Sequence, residues 1–247
     1  MMIREKTSMV RTQKYDVDYL NAIFTPLSYE ERLQKLYELF PTKEILVTSS
    51  FGTKSVFILH LLNKLNIQQK IYFINTTYHF PETLEYKDQL TDLFNLDVEE
   101  VLPNPVENRI TREQEWWKDH PKMCCSVNKV IPLEPIKAKY SIWMSSVMAY
   151  QTKFRAGLRV FEEQGDLLKF HPLIDIDEAE FLYQMGFHEL PKHPLEAKGY
   201  GSVGCEHCTA KGEGRAGRWK GKAKQECGLH PGYFLKKAQE KKKNNES

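Results

Sequence analysis

The side chains best suited to chemistry are the five cysteines, which fall into three groups. Cys124 and Cys125 are adjacent, Cys205 and Cys208 form a C-x-x-C, and Cys227 stands alone in Glu226-Cys227-Gly228-Leu229-His230. Two tight pairs of thiols suit a soft, tetrahedral metal centre. Adjacent cysteines make a strained disulfide, so Cys124 and Cys125 read as paired ligands rather than as a bridge. The spacing leaves the metal open between zinc and an iron–sulfur cluster. Cys227, unpaired in a polar, Gly-flanked tail, is a candidate nucleophile.

The elements that must position these residues can be read from periodicity. Ser28-Tyr29-Glu30-Glu31 is a capping box that opens a helix running to about Phe40. Glu44 to Thr48 is a short apolar strand, followed by a polar loop and the helical run VFILHLLNKL. A second strand spans Ile71 to Ile74, and Pro81 suits the first turn of the helix PETLEYKDQLTDLF. Further strands are expected over Val98 to Leu102 and Ser141 to Met144, and Asp177-x-x-Glu180 caps another helix. Strand, loop and helix in repetition predict an α/β fold, an open and mostly parallel sheet with flanking helices. Its sheet core is expected over residues 44–175, within a domain of residues 1–198. From Gly199 the composition shifts to Gly, Lys and Cys, so residues 199–247 read as a C-terminal appendage ending in a frayed helix and solvated tail.

The loop of Ser49, Ser50, Phe51, Gly52, Thr53, Lys54 and Ser55 sits at the carboxyl end of a strand and the amino end of a helix. That is where open α/β sheets bind ligands, and its hydroxyls and backbone N–H groups suit a phosphate or sulfate. An ordinary polar strand-to-helix turn would look the same, and the Walker A spacing is absent.

Composition limits the classes. The 247 residues can bury one substantial core, and 41% hydrophobic with 28% charged residues is ordinary for a globular protein. A net charge of +2 supplies no basic field for nucleic acid. The N-terminal residues lack the apolar core of a signal peptide and no run approaches a membrane span, so neither membrane nor nucleic acid is expected as a partner. A reducing cytoplasm follows as the expected setting, where clustered cysteines serve metal binding or catalysis. Oligomeric state is left open, a homo-oligomer included.

The segments VTSSFGTKS, YFINTTYHFPETLEYKDQL, KMCCSVNKVIPLEPI, HPLEAKGYGSVGCEHCT, GRAGRW and KQECGLH occur in an order that resembles the assimilatory sulfonucleotide reductases. These enzymes reduce adenylyl sulfate, or its 3′-phosphorylated form, to sulfite. The resemblance implies a PP-loop-like α/β fold and a [4Fe–4S] cluster held by Cys124, Cys125, Cys205 and Cys208. Cys227 matches the nucleophile that takes the sulfo group as an S-sulfocysteine, which a thioredoxin or glutaredoxin then reduces. Lys129, Arg215 and Arg218 match basic residues that hold the phosphosulfate, and the loop Ser49 to Ser55 matches the phosphate side. Ile74 and Asn75 lie where the second strand meets adenosine, and Arg155 joins the substrate-binding set. Within the family the presence of all four cluster ligands favours adenylyl sulfate as substrate, and dual use stays open because Lys54 could receive a 3′-phosphate.

The chain also departs from the family pattern. Asn128 stands where many relatives carry an arginine, and Asn75-Thr76-Thr77 replaces D-T-G. After Trp143, Gln151 and Arg155 are kept, while Ser146 and Met148 replace a glycine and an arginine. Loss of that arginine is expected to remove a positive charge near the substrate. A working reductase with a rearranged anion site is favoured over a shifted substrate or a diverged paralogue, because the cluster ligands, Cys227 and Arg215/Arg218 remain. Trp116, Trp117 and Trp219 are expected to pack, and His79 and His171 receive no role. Two rival readings are weaker. A PP-loop ATP pyrophosphatase of tRNA thiolation would carry S-G-G-x-D-S where Thr53 and Lys54 stand, and a metal-stabilised nucleic-acid module would need a basic patch.

Overall fold

A computed structural model describes residues 16–221, 224 and 226–229. The expected terminal helix and tail, and the flanking residues Lys222 and His230, lie outside the described residues.

Six strands form one sheet in the order β3-β2-β1-β4-β6-β5. They are β1 (Ile45–Ser49), β2 (Lys70–Ile74), β3 (Asp97–Val101), β4 (Ile142–Met144), β5 (Phe161–Gln164) and β6 (Leu167–Phe170). All neighbouring pairs are parallel except β5 with β6, a hairpin that turns through Gly165 at φ +61°. The first four strands fall within a residue of their expected places. The hairpin was not expected, because four-residue strands carrying Glu162, Glu163 and Lys169 lack an apolar run.

Alternation along the strands builds two cores. Val47, Phe73, Met144 and Phe170 face one side, under α1 (Val17–Phe24), α2 (Tyr29–Leu39), α3 (Val56–Lys64), α4 (Pro81–Phe94) and α9 (Glu178–Phe187). Leu46, Tyr72, Ile74 and Trp143 face the other, where α8 (Ile131–Lys137) contributes Leu133. Leu229, from the far end of the chain, packs into that second core. The capping box at Ser28 is formed in full, with Glu31 reaching back to the Ser28 N–H at 2.8 Å. Between β3 and α8 lie α5 (Pro105–Glu113), α6 (Trp116–Asp119), α7 (Pro121–Cys125) and a π-helical turn, Ser126–Val130. Sequence reading gave no element here; a helix interrupted by Pro121 and rewound after two cysteines has no clean 3.6-residue period.

The chain leaves β1 for β2 and β3 on one side and returns to β4 on the other. The order therefore reverses between β1 and β4, and a crevice opens above their carboxyl ends. The segment following Gly199 folds over that end of the sheet. Thr53 Oγ1 donates to the Gly201 carbonyl at 3.1 Å, Glu206 N–H donates to the Tyr78 carbonyl at 2.7 Å, and His79 bridges Cys205.

Candidate active site

Above the switch point is a cavity of about 200 Å³. Its floor is the loop after β1, which two hydroxyls hold in shape. Ser49 Oγ accepts from the Phe51 N–H and Ser55 Oγ accepts from the Gly52 N–H, both at 3.1 Å. Ser49, Ser50, Gly52, Thr53, Lys54 and Ser55 line the cavity. Phe51 does not: at φ +45° its ring turns down into the core, edge-on to Phe73 at 5.5 Å. Ile74 lines the cavity at the end of β2, whereas Asn75 points its amide at Glu100 Oε2, 2.8 Å away, and accepts from the Thr77 N–H at 2.9 Å. Asn75 therefore shapes the turn beside the site.

The opposite wall is cationic and comes from three distant parts of the sequence. Lys129 from the π-turn, Arg215 and Arg218 from the C-terminal segment, and Lys169 from β6 all line the cavity, as does Cys227. Burial alone would depress Lys129, but the thiols of Cys205, Cys227 and Cys125 hold it above its ordinary value. Burial, then the charge of Arg155, pulls Arg215 down to about 10. Arg218 rests its guanidinium over Trp219 at 4.6 Å and against the backbone of Gly204. A Cβ on Gly204 would meet Arg218 Nη1 at 2.0 Å, so only glycine lets the guanidinium reach this place. Trp219 is thus a packing residue that also borders the cavity and carries the arginines.

Cys227 is half-buried. A hydrogen bond from Cys125 holds its thiol well below the ordinary range, and Lys129, the Leu229 N–H and Lys224 add to this against the cost of burial. Cys125 is raised in return, by the same hydrogen bond and by burial. Lys224, 6% exposed, donates to Cys125 Sγ at 2.8 Å and to the Pro121 carbonyl at 3.0 Å. A partly buried thiolate among fixed cations is the arrangement that attack on an anionic centre requires.

Cys124, Cys125, Cys205 and Cys208 border one small cavity of about 10 Å³ beside the first, together with Tyr78, Trp117 and His207. Trp117 stacks on His207 at 4.0 Å. Among the described residues no three His, Cys, Asp or Glu side chains converge on a single metal-ion position. Burial, then the charges of Cys205 and Cys208, pushes Cys124 up to about 11. Cys208 is raised by burial and by Cys205.

The departures find physical places. Asn128 is buried behind Cys124: it donates to the Cys124 carbonyl at 2.9 Å and to Thr111 Oγ1 at 3.0 Å, and accepts from Asn108 at 2.7 Å. Met148 is fully buried in the core, so the charge expected to be missing from the cavity does not belong to this side-chain position. Ser146 lines the cavity with Ser145, whose Oγ lies 2.9 Å from His171 Nδ1. Sequence reading missed Lys169, Ser145, His79 and Glu226 at this site. The one available signal was a lysine inside an apolar strand, Leu167-Leu168-Lys169-Phe170.

Comparison with known proteins agrees with this geometry. The adenosine 5′-phosphosulfate reductase of Bacillus cereus (strain 03BB102) is 34% identical over 196 residues, covering 76% of this chain and 84% of that protein. The protein of the same name from Bacillus mycoides (strain KBAB4) is 35% identical over the same shares. In fold, the phosphoadenylyl-sulfate reductase of Candida auris superimposes with a TM-score of 0.70 at 22% identity, over 80% of this chain and 98% of that one. Yeast FAD synthetase in complex with FAD superimposes at 0.53 and 13% identity, over 81% and 70%. Residues 44–211 match the phosphoadenosine phosphosulfate reductase domain, and with these relatives they place the chain in that family.

Proposed function

We propose that this chain reduces adenylyl sulfate to sulfite and AMP in sulfate assimilation, through a sulfo group carried on Cys227. The observation that bears most weight is Cys227 facing one cavity with the loop after β1 and the cations Lys129, Arg215 and Arg218. The nucleotide's phosphosulfate would lie between that loop and those cations. The Cys227 thiolate attacks the sulfate sulfur in line with the bridging oxygen. An S–S bond forms as the S–O bond breaks, and AMP leaves with the electron pair on its phosphate oxygen. Lys129, Arg215 and Arg218 neutralise the charge that would otherwise repel the thiolate. A thioredoxin-type dithiol then attacks Cys227 Sγ and expels sulfite. Its second thiol resolves the mixed disulfide, so two electrons pass from dithiol to sulfur. A dithiol reductant of this kind supports a reducing compartment such as the cytoplasm as the setting.

The four remaining cysteines fit an iron–sulfur cluster by their chemistry. They are soft donors around one small cavity, and a cationic core would relieve the repulsion that raises Cys124 and Cys208. When bound, such a cluster would supply positive charge beside the cavity. With Cys125 as a ligand, stabilisation of the Cys227 thiolate would rest on Lys129, the Leu229 amide and Lys224.

The test is kcat/KM for adenylyl sulfate and for its 3′-phosphorylated form, with thioredoxin as reductant. The reading predicts turnover with preference for adenylyl sulfate. Preference for the other nucleotide would overturn the substrate, and no turnover with either would overturn the function.

A further inference from the structure

Glu226, the residue before Cys227, has no solvent exposure. Its carboxylate is held bidentately by Arg155, with Nε to Oε1 and Nη2 to Oε2 each at 2.9 Å. Thr152 Oγ1 donates to Oε1 at 3.1 Å, and Arg215 Nη2 reaches Oε2 at 3.4 Å. The remaining terminal nitrogen of Arg155 donates to Gln151 Oε1. Arg155 borders the cavity, yet all three of its guanidinium nitrogens are committed to Glu226 and Gln151. A buried carboxylate is retained at such a position only when paired and hydrogen-bonded, and here every partner belongs to the region between β4 and β5 or to Arg215.

Among the described residues on either side of Cys227, two other polar anchors hold the segment. Lys224 is tied to Pro121 and Cys125 on one side of Cys227, and on the other the Leu229 carbonyl accepts from Lys169 at 3.1 Å. Gly228 packs so closely that a Cβ would meet Val130 Cγ2 at 3.2 Å. Glu226 sits between these anchors, one peptide from the sulfur, and joins its carboxylate to the Arg155 guanidinium.

We propose that Glu226 and Arg155 form an ionic clasp that docks the nucleophile. Arg155 is then a positioning residue acting through Glu226, not a ligand of the substrate's anion, and Arg215 links the clasp to the anion site. The inference deepens the reductase reading and rests on it for the reaction, but the clasp itself can be tested without turnover.

The test uses the full-length protein with Glu226→Gln, Arg155→Gln and the exchanged pair Arg155→Glu/Glu226→Arg. Three quantities are read: tryptic cleavage between Trp219 and Cys227, AMP affinity, and single-turnover formation of the Cys227 adduct at saturating adenylyl sulfate. Each single variant is expected to accelerate cleavage there about tenfold, with the sheet still folded by circular dichroism at about 25 °C. Adduct formation should slow on the order of 100-fold, as a displaced nucleophile requires, with AMP affinity within about twofold of wild type. The exchanged pair should regain protection relative to either single variant. Unchanged cleavage in Glu226→Gln overturns the clasp even if wild type forms the adduct. Weakened AMP binding in Arg155→Gln with an unchanged tail returns Arg155 to the anion site and also overturns it. If wild type forms no adduct, the reductase reading fails while the cleavage result still decides the clasp.

Discussion

Lys169 Nζ donates to the Leu229 carbonyl at 3.1 Å and lies 4.1 Å over the ring of Trp143. The strand next to the sheet's β5 edge thereby holds the segment two residues beyond Cys227, the proposed nucleophile. The lysine is 4% exposed, and burial, with Arg155 and Lys137, draws it down to about 7 against the opposing pull of Cys227 and Glu226. At pH 8 it is therefore expected to be largely neutral, in the cavity proposed to hold the substrate's anion.

Proton uptake on nucleotide binding follows from this. An anion in the cavity raises the affinity of Lys169 for its proton, so AMP binding at pH 8 should draw a fraction of a proton from solution. Below pH 6, where Lys169 is already charged, this contribution should vanish. Calorimetry in two buffers of different ionisation enthalpy measures it. Lys169→Gln should abolish the uptake at pH 8; equal uptake in wild type and variant would contradict the assignment.

His193 provides a pH dependence of stability. The Leu195 N–H donates to its Nδ1 at 3.1 Å, so Nε2 carries the proton and donates to Thr83 Oγ1 at 3.1 Å. Burial lowers the ring to about 4 from its ordinary value, opposed weakly by Glu82. The unfolded chain then takes up a proton that the folded chain refuses. Stability is present above pH 6.5 and is lost as pH falls toward 4, by up to about 3 kcal/mol from this group. Urea titrations at pH 7 and pH 4.5 should differ accordingly, and His193→Gln should flatten that difference while lowering stability at pH 7.

How far this was legible in the sequence depended on range. The first four strands, the Ser28 cap and the loop after β1 were readable because short apolar runs and hydroxyl caps act locally. Phe51 and Asn75 were assigned to the site by position in a motif, yet a positive φ turns one into the core and an Asx turn occupies the other. Lys169 and Glu226 could not be read, since their meaning comes from contacts across 60 and 71 residues of chain. Met148 was read as the loss of a charge near the substrate, and its side chain lies in the core; Asn128, where relatives carry an arginine, is spent on the Cys124 carbonyl.

The thiol cavity makes a compositional prediction. Protein purified without oxygen should be brown and carry about four irons per chain. Cys205→Ser should lose the iron and lower the melting temperature, because the segment after Gly199 would lose a tie to the sheet. Stoichiometric zinc with no iron, in protein prepared anaerobically, would contradict the cluster.

Cys227 is the centre of the account, and its chemistry can be caught directly. Anaerobic protein incubated with adenylyl sulfate and no reductant should stop after one turnover, with one AMP released and one sulfonate retained per chain. Peptide mapping under gentle conditions should place that sulfonate on Cys227, and Cys227→Ser should bind AMP normally but form no adduct, since a hydroxyl supplies no thiolate near neutral pH. A sulfonate mapped to another cysteine, or normal turnover by Cys227→Ser, would contradict the mechanism.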